Sequence, residues 1–327
     1  MHYFCTLFDS NYLLRGLTLY RSLEGAGVNF TFYILCLDDK AHAVISNLRL
    51  GNLLPITLKE IEDWDEELIV AKANRSKVEY YFTLKSLLPS YILKENNGID
   101  IITYLDADLF FFDSPEVLYK EMSFNSVFMI KHNFSKEAEK RFSKHGEYNA
   151  EYMSFRNDKE GRACLERWGK QCKEWCYDTV KGKLYADQGY LNEWPSLYEN
   201  LVVSENEGAG LAPWNSGRYQ FSINDSQIYV NNDRLVFFHF HGVKIISKCF
   251  ISQNLRSYGV KLPRNIKASL YKRYIIELKE TFEWFKSSGV SDINFIDNLI
   301  GKRVKFNSDR KLIDRLKNFI SSLYFTC

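Results

Sequence analysis

The stretch DIITYLDADLFFFDSP, Asp100 to Pro115, decides how the rest of the chain is read. Its first part, Asp100 to Leu105, is a short and nearly continuous apolar run, as expected of a strand covered on both faces of a sheet. It leads directly into Asp106-Ala107-Asp108. Side chains alternate along an extended segment, so the two carboxylates face the same side. They do so at the carboxyl end of a strand, where open parallel sheets bind their ligands. Two such charges repel unless something positive lies between them, and a hard divalent cation that also bridges a diphosphate meets that need. The same residues also fit a turn in which one Asp caps the backbone and the other is solvated. The buried strand before them and the apolar run after them favour the metal.

Upstream, His2 to Phe8 reads as a strand, and Asp9-Ser10-Asn11 as N-cap chemistry for a helix through Leu23. Phe30 to Leu37 is a second, continuously apolar strand. A helix near Ala41 to Leu48, a strand near Leu53 to Leu58 and a helix over Ser76 to Lys94, kinked or divided at Pro89, follow. This alternation predicts an α/β architecture with a mostly parallel central sheet and flanking helices. Downstream, Asn125 to Lys131 and Glu151 to Phe155 read as strands and Asp158 to Tyr177 as a helix. Gln227 to Val230 and Leu235 to His241 read as hairpin arms around Asn231-Asn232-Asp233. The expected plan is one domain over residues 1–255, followed by a helical C-terminal extension over 256–327.

Composition narrows the function classes. Lys and Arg number 43 against 41 Asp and Glu, so no global charge calls for nucleic acid as a partner. Seven cysteines, an odd number without paired zinc-finger spacing, read as free thiols in a reducing compartment. The N-terminus lacks a basic n-region and its apolar run is broken by Asp9 and Asn11, unlike a signal peptide. With no apolar run of about 18 residues, the expected location is the cytoplasm, with contact at the inner face of a membrane left open.

Five segments together resemble the GT-A fold (Rossmann-like) nucleotide-sugar glycosyltransferases, in particular the family-8-like group that includes glycogenin and the bacterial lipopolysaccharide galactosyltransferases. YLDADLFFFDSP is similar to the family's metal-binding segment. The opening strand, with Thr6, Phe8, Asp9 and Tyr12, is similar to its nucleotide-binding start. Asn149-Ala150-Glu151 stands where the family has Asn-Ala-Gly. ADQGYLN, with Asp187, Gln188 and Asn192, matches an element beside the transferred sugar, and HFHGVK, from His239 to Lys244, matches a C-terminal His-x-x-Gly element followed by Lys. The resemblance covers about residues 2–250. It departs from the family in two further places: the Lys expected at Ile245 comes one residue early, and the Arg common in the helix before Asp-x-Asp is here Lys85, without the bidentate fork.

The resemblance implies metal-dependent, retaining transfer of a hexose from a nucleotide-diphosphate sugar, expected to be a UDP-sugar, to a glycan or lipid-linked glycan. It implies donor contacts from Thr6, Phe8, Asp9, Tyr12, Lys85, Asp106, Ala107, Asn149, Gly242 and Lys244, with Asp187 and Gln188 at the reacting sugar. Asp106 and Asp108 are the expected metal ligands. His239 and His241 alternate on one strand and face one side, so either can complete the shell, and family spacing selects His239 over His241. An imidazole beside carboxylates suits Mn²⁺ better than Mg²⁺. Retention is compatible with Asp187 as a nucleophile or with a front-face route in which the departing phosphate takes the acceptor's proton.

Competing readings are a sugar nucleotidylyltransferase, a dehalogenase-type phosphatase and an inactive carbohydrate-binding protein of the same fold. The first lacks a Gly-rich phosphate loop after the opening strand, and the second has Phe110 where Thr or Val is wanted. For the acceptor, GAGLAPWNSGRY offers Trp214, Asn215 and Arg218 on a Gly-rich loop. In the tail, Arg310, Lys311, Arg315 and Lys317 among Leu312, Ile313, Leu316, Phe319 and Ile320 have the makeup of an interfacial helix. It fits peripheral contact with an anionic membrane, and more readily a helix docked on its own domain.

Overall fold

The computed structural model describes residues 1–247, 250–288 and 323–325. Eight strands precede residue 204: β1 (His2–Phe8), β2 (Phe30–Cys36), β3 (Leu53–Thr57), β4 (Ile101–Leu105), β5 (Leu109–Phe111), β6 (Val127–Lys131), β7 (Tyr148–Arg156) and β8 (Leu201–Val203). Seven form the central sheet, in the order β3-β2-β1-β4-β7-β6-β8. β3, β2, β1 and β4 are parallel, whereas β7 runs against both β4 and β6. Both faces of the central strands are covered, which is why β2 is buried at every position. On β1, Phe4 and Phe8 enter one core cluster while Cys5 and Leu7 pack in the other, the alternation of an extended chain. Cys5, Cys36, Cys164, Cys172 and Cys176 are free and buried. No helix among the described residues is long and apolar enough to cross a membrane.

Two helices frame the site. Leu13–Gly25 starts at Tyr12 without a side-chain cap. Asp9, expected near that cap, instead accepts from the Asn11 backbone N–H at 3.0 Å and from Lys77 at 2.8 Å. Lys77–Glu95 is capped by Ser76 in a reciprocal box with Glu79. It passes through Pro89 as a single helix and is not divided there. Its residues Lys77, Tyr81 and Lys85 fall four apart, on one face, and all three line the same cavity.

The downstream hairpin differs from expectation. β9 (Phe221–Asn224) and β10 (Gln227–Val230) pair, and β10 turns at Asn231 (φ 51°) into the short β11 (Asp233–Arg234). The following strand, β12 (Phe237–His239), leaves β10 and pairs antiparallel with β5. Both segments are apolar and buried, so each needs a partner within the core. Phe237 lies between the rings of Phe111 and Tyr152, each 5.4 Å away. The pairing sets His239 opposite Leu109, immediately after Asp108.

β13 (Lys244–Ser247) and β14 (Phe250–Ser252) form a further antiparallel pair. Helix Arg264–Ser287 then packs into the first core cluster, with Tyr274 stacked 3.7 Å from Phe240. The tail segment with the makeup of an interfacial helix, from Arg310 to Ile320, lies outside the described residues. Leu323–Phe325, expected as the end of that helix, is β15, paired with β14. A strand partner there satisfies backbone groups that an isolated helix end would leave open.

One glycine under the site is sterically required. A Cβ on Gly208 would overlap the Arg234 carbonyl oxygen, while the Gly208 carbonyl accepts from Val236 N–H at 2.8 Å, just before β12. Gly208→Ala is expected to destabilise the protein by about 1–3 kcal/mol in urea unfolding, the usual range for overpacking. An unchanged midpoint would show that the loop can shift freely.

Candidate active site

Asp106 and Asp108 leave the end of β4 in different directions. The Asp106 backbone N–H is held by the Glu151 carbonyl of β7 at 2.8 Å, and its own carbonyl accepts from Leu109 N–H at 3.1 Å, closing a turn into β5. The Asp106 carboxylate accepts from Lys85 Nζ at 2.8 Å and from the Tyr104 hydroxyl at 3.1 Å. Asp108 points to β12, where its Oδ1 is 2.9 Å from His239 Nε2. The Phe240 N–H to Asp108 carbonyl bond, 2.9 Å, and the His239 N–H to Leu211 carbonyl bond, 2.8 Å, lock this register.

Asp108, His239 and His241 each offer one ligand atom, and these atoms lie within 4.8 Å of one another. Asp108 and His239 are buried and His241 is exposed. Trp214 sits against both imidazoles, 5.2 and 5.5 Å between centroids. One carboxylate oxygen and two imidazole nitrogens, with one ligand open to solvent, could hold a divalent metal ion. The two histidines thus converge together, whereas Asp106 stays with Lys85. Burial works against a charge on His239, but Asp108 and Glu151 on either side raise its pKa well above the ordinary value. Asp108, despite burial, is held below the carboxylate range by that imidazole. Desolvation against the cavity wall and the neighbouring His239 charge lower the pKa of His241, although part of its ring still meets solvent.

Beside this set lies a second cluster. Lys85 is buried; burial opposes its charge, but Asp106 and Asp187 raise its pKa above the usual lysine value. Asp187 Oδ2 is 3.4 Å from Lys85 Nζ, outside hydrogen-bonding geometry, so this oxygen is buried without a hydrogen-bond partner. Burial raises the Asp187 pKa, with Lys85 opposing. The Trp168 indole holds the Asp187 carbonyl at 2.8 Å. Gln188 donates to the His145 carbonyl at 3.0 Å, and Asn192 bonds within its own turn and to Glu147 N–H.

Both clusters open into one cavity of about 780 Å³. One end is formed by Phe8, Asp9, Tyr12, Lys77 and Tyr81. Burial raises the Asp9 pKa, but Lys77 and Asn11 outweigh it and hold this carboxyl below its ordinary value. Thr6 is buried with its hydroxyl unpartnered, and Ala107 and Asn149 are on the cavity wall. The other end is aromatic. His132 stacks on Phe134 at 4.6 Å, and Trp214, Tyr258, Phe142, His145 and Tyr185 follow in a chain of ring contacts of 4.3 to 6.0 Å.

Other expected residues lie elsewhere. Lys244 is exposed on β13 and does not line the cavity. Gly242 is a turn position with φ 67°, pressed against Asn254. Asn215 uses its amide on the carbonyls of His132 and Gly210 and accepts from Ala212 N–H. Arg218 is exposed and not part of the lining. Sequence reading missed Lys77 and Tyr81, whose signal was their helical spacing to Lys85, and, apart from Trp214, the aromatic end, whose residues are scattered along the chain.

This seven-stranded sheet, with a divergent acidic turn after β4, is the GT-A glycosyltransferase fold. The galactosyltransferase LgtC, solved in complex with donor and acceptor sugar analogs, aligns with a TM-score of 0.52 and 18% identity over 82% of this chain and 99% of that one. No protein-family model matches. The chain belongs to the family of the uncharacterized protein YfnF of Bacillus subtilis (strain 168), with 30% identity over 269 residues, 80% of this chain and 88% of that protein. A second uncharacterized protein of that strain, YfnD, is 27% identical over 308 residues, 92% of this chain and 95% of its own.

Proposed function

We propose that the protein is a metal-dependent, retaining glycosyltransferase that moves a hexose from a UDP-sugar to a glycan or lipid-linked glycan. The observation that carries this reading is the meeting, in one cavity of a GT-A sheet, of the Asp108–His239–His241 donor set with the Lys85–Asp106–Asp187 cluster. Asp108, His239 and His241 would hold a Mn²⁺-type ion. Bound there, the ion supplies positive charge for the diphosphate as it leaves.

The chain's own residues do the rest. The end of the cavity at Phe8, Asp9, Tyr12, Lys77 and Tyr81 suits the base and ribose. Asp187, buried and fixed through its carbonyl, would stabilise positive charge growing on the anomeric carbon. With its carboxylate facing Lys85, Asp187 would act through its charge, in keeping with the front-face route. The aromatic end suits the acceptor, because ring faces pack against the apolar faces of sugars.

UDP with Mn²⁺ is expected to raise the melting temperature by roughly 5 °C at a hundredfold excess over its Kd, by mass action of about 2.7 kcal/mol on the native state. A shift with GDP and none with UDP would sink the donor assignment. No shift with either nucleotide would sink the nucleotide-sugar reading.

A further inference from the structure

We propose that Glu151 is a positioning residue for His239: its carboxylate accepts the Nδ1 proton of the imidazole and thereby aims Nε2 at Asp108 and at the ion this site would hold. The inference rests on the metal reading above. Its starting point is a departure in the sequence, where Glu151 occupies the place of a glycine in the resembling family.

Glu151 is fully buried within β7. Its backbone carbonyl fixes the Asp106 turn at 2.8 Å, so one residue reaches both halves of the site. On its side chain, Oε2 accepts from Asn149 Nδ2 at 2.7 Å and also meets His239 Nδ1. An oxygen already receiving an amide N–H acts as an acceptor, which places the imidazole proton on Nδ1. Room for the other oxygen is kept by Gly210, at φ 72°, where a Cβ would lie 3.3 Å from Oε1. That oxygen is buried without a hydrogen-bond partner. A carboxylate so placed costs stability through desolvation. Its position is that of the carboxylate behind a metal-bound histidine, which fixes tautomer and ring orientation. A purely structural Glu151 would leave metal affinity unchanged when its charge is removed.

The test uses Mn²⁺ alone, with free ion followed by electron paramagnetic resonance, on the full chain and on Glu151→Gln. The expected result is a 10- to 100-fold weaker affinity in the variant. Affinity within twofold of the parent in a folded variant overturns the positioning role and leaves the metal reading intact. A parent that binds no Mn²⁺ overturns both. If Glu151→Gln does not fold, the parent labelled with ¹⁵N-histidine decides, with Zn²⁺ as a diamagnetic probe. Nδ1 must stay protonated while Nε2 takes the metal, and metal on Nδ1 overturns the proposal.

Discussion

Asp108→Asn is expected to lower Mn²⁺-stimulated turnover of the sugar nucleotide by about 10²- to 10³-fold, the scale of losing one preorganised electrostatic group. The substitution keeps the shape of the side chain and an acceptor for His239 Nε2, now 2.9 Å away, so the fold should persist. What is lost is the negative oxygen in a donor set otherwise made of two imidazoles. Activity and thermal unfolding measured on the same preparation separate the two effects. Full activity in the variant would remove Asp108 from the metal site, and a collapsed melting transition would make it a structural partner of His239.

Lys85→Met should act on stability more strongly than any other single change at the site. It leaves Asp106 and the buried Asp187 facing one another without the ammonium that lies 2.8 and 3.4 Å from them. Removing one member of a buried ionic cluster costs about 3–5 kcal/mol. The effect has a predictable pH dependence. Without Lys85, Asp187 has a folded pKa raised further above its unfolded value by burial and by Asp106. The carboxyl is then tolerated best below the unfolded pKa, and stability is lost as pH rises through the folded one. The difference between parent and variant in urea unfolding should therefore shrink from pH 8 towards pH 5. A deficit below about 1 kcal/mol, or one that grows in acid, would contradict this account of the cluster.

The parallel half of the sheet was legible because each strand is covered on both faces and carries its own apolar run. Phe30–Cys36 and Ile101–Leu105 needed no partner information to be read. The acidic turn was legible for the same reason, since it ends such a run. The pairing of β12 was not. FFHF states that its residues are buried, but not against what, and the short β5 that receives it reads as part of the acidic motif. The shared face of Lys77, Tyr81 and Lys85 was present in the spacing, hidden by a helix buried around much of its circumference. The split roles of Asp106 and Asp108 depend on Lys85 and His239, contributed by a helix and a strand 154 positions apart, the difference of 239 and 85. Alternation along a strand put both carboxylates on one side, but the turn at Asp106 turns them apart. Trp214 was singled out as an acceptor contact and does line the cavity, while Asn215 beside it is committed to backbone carbonyls.

The central claim is tested most directly by incubating the full chain with a panel of UDP- and GDP-hexoses and following nucleotide release with Mn²⁺, with EDTA, and with Mn²⁺ restored. The account predicts turnover of at least one UDP-hexose with Mn²⁺, its loss in EDTA and its recovery on adding the metal back. Turnover indifferent to EDTA, or a GDP-sugar consumed in preference to every UDP-sugar, would contradict it.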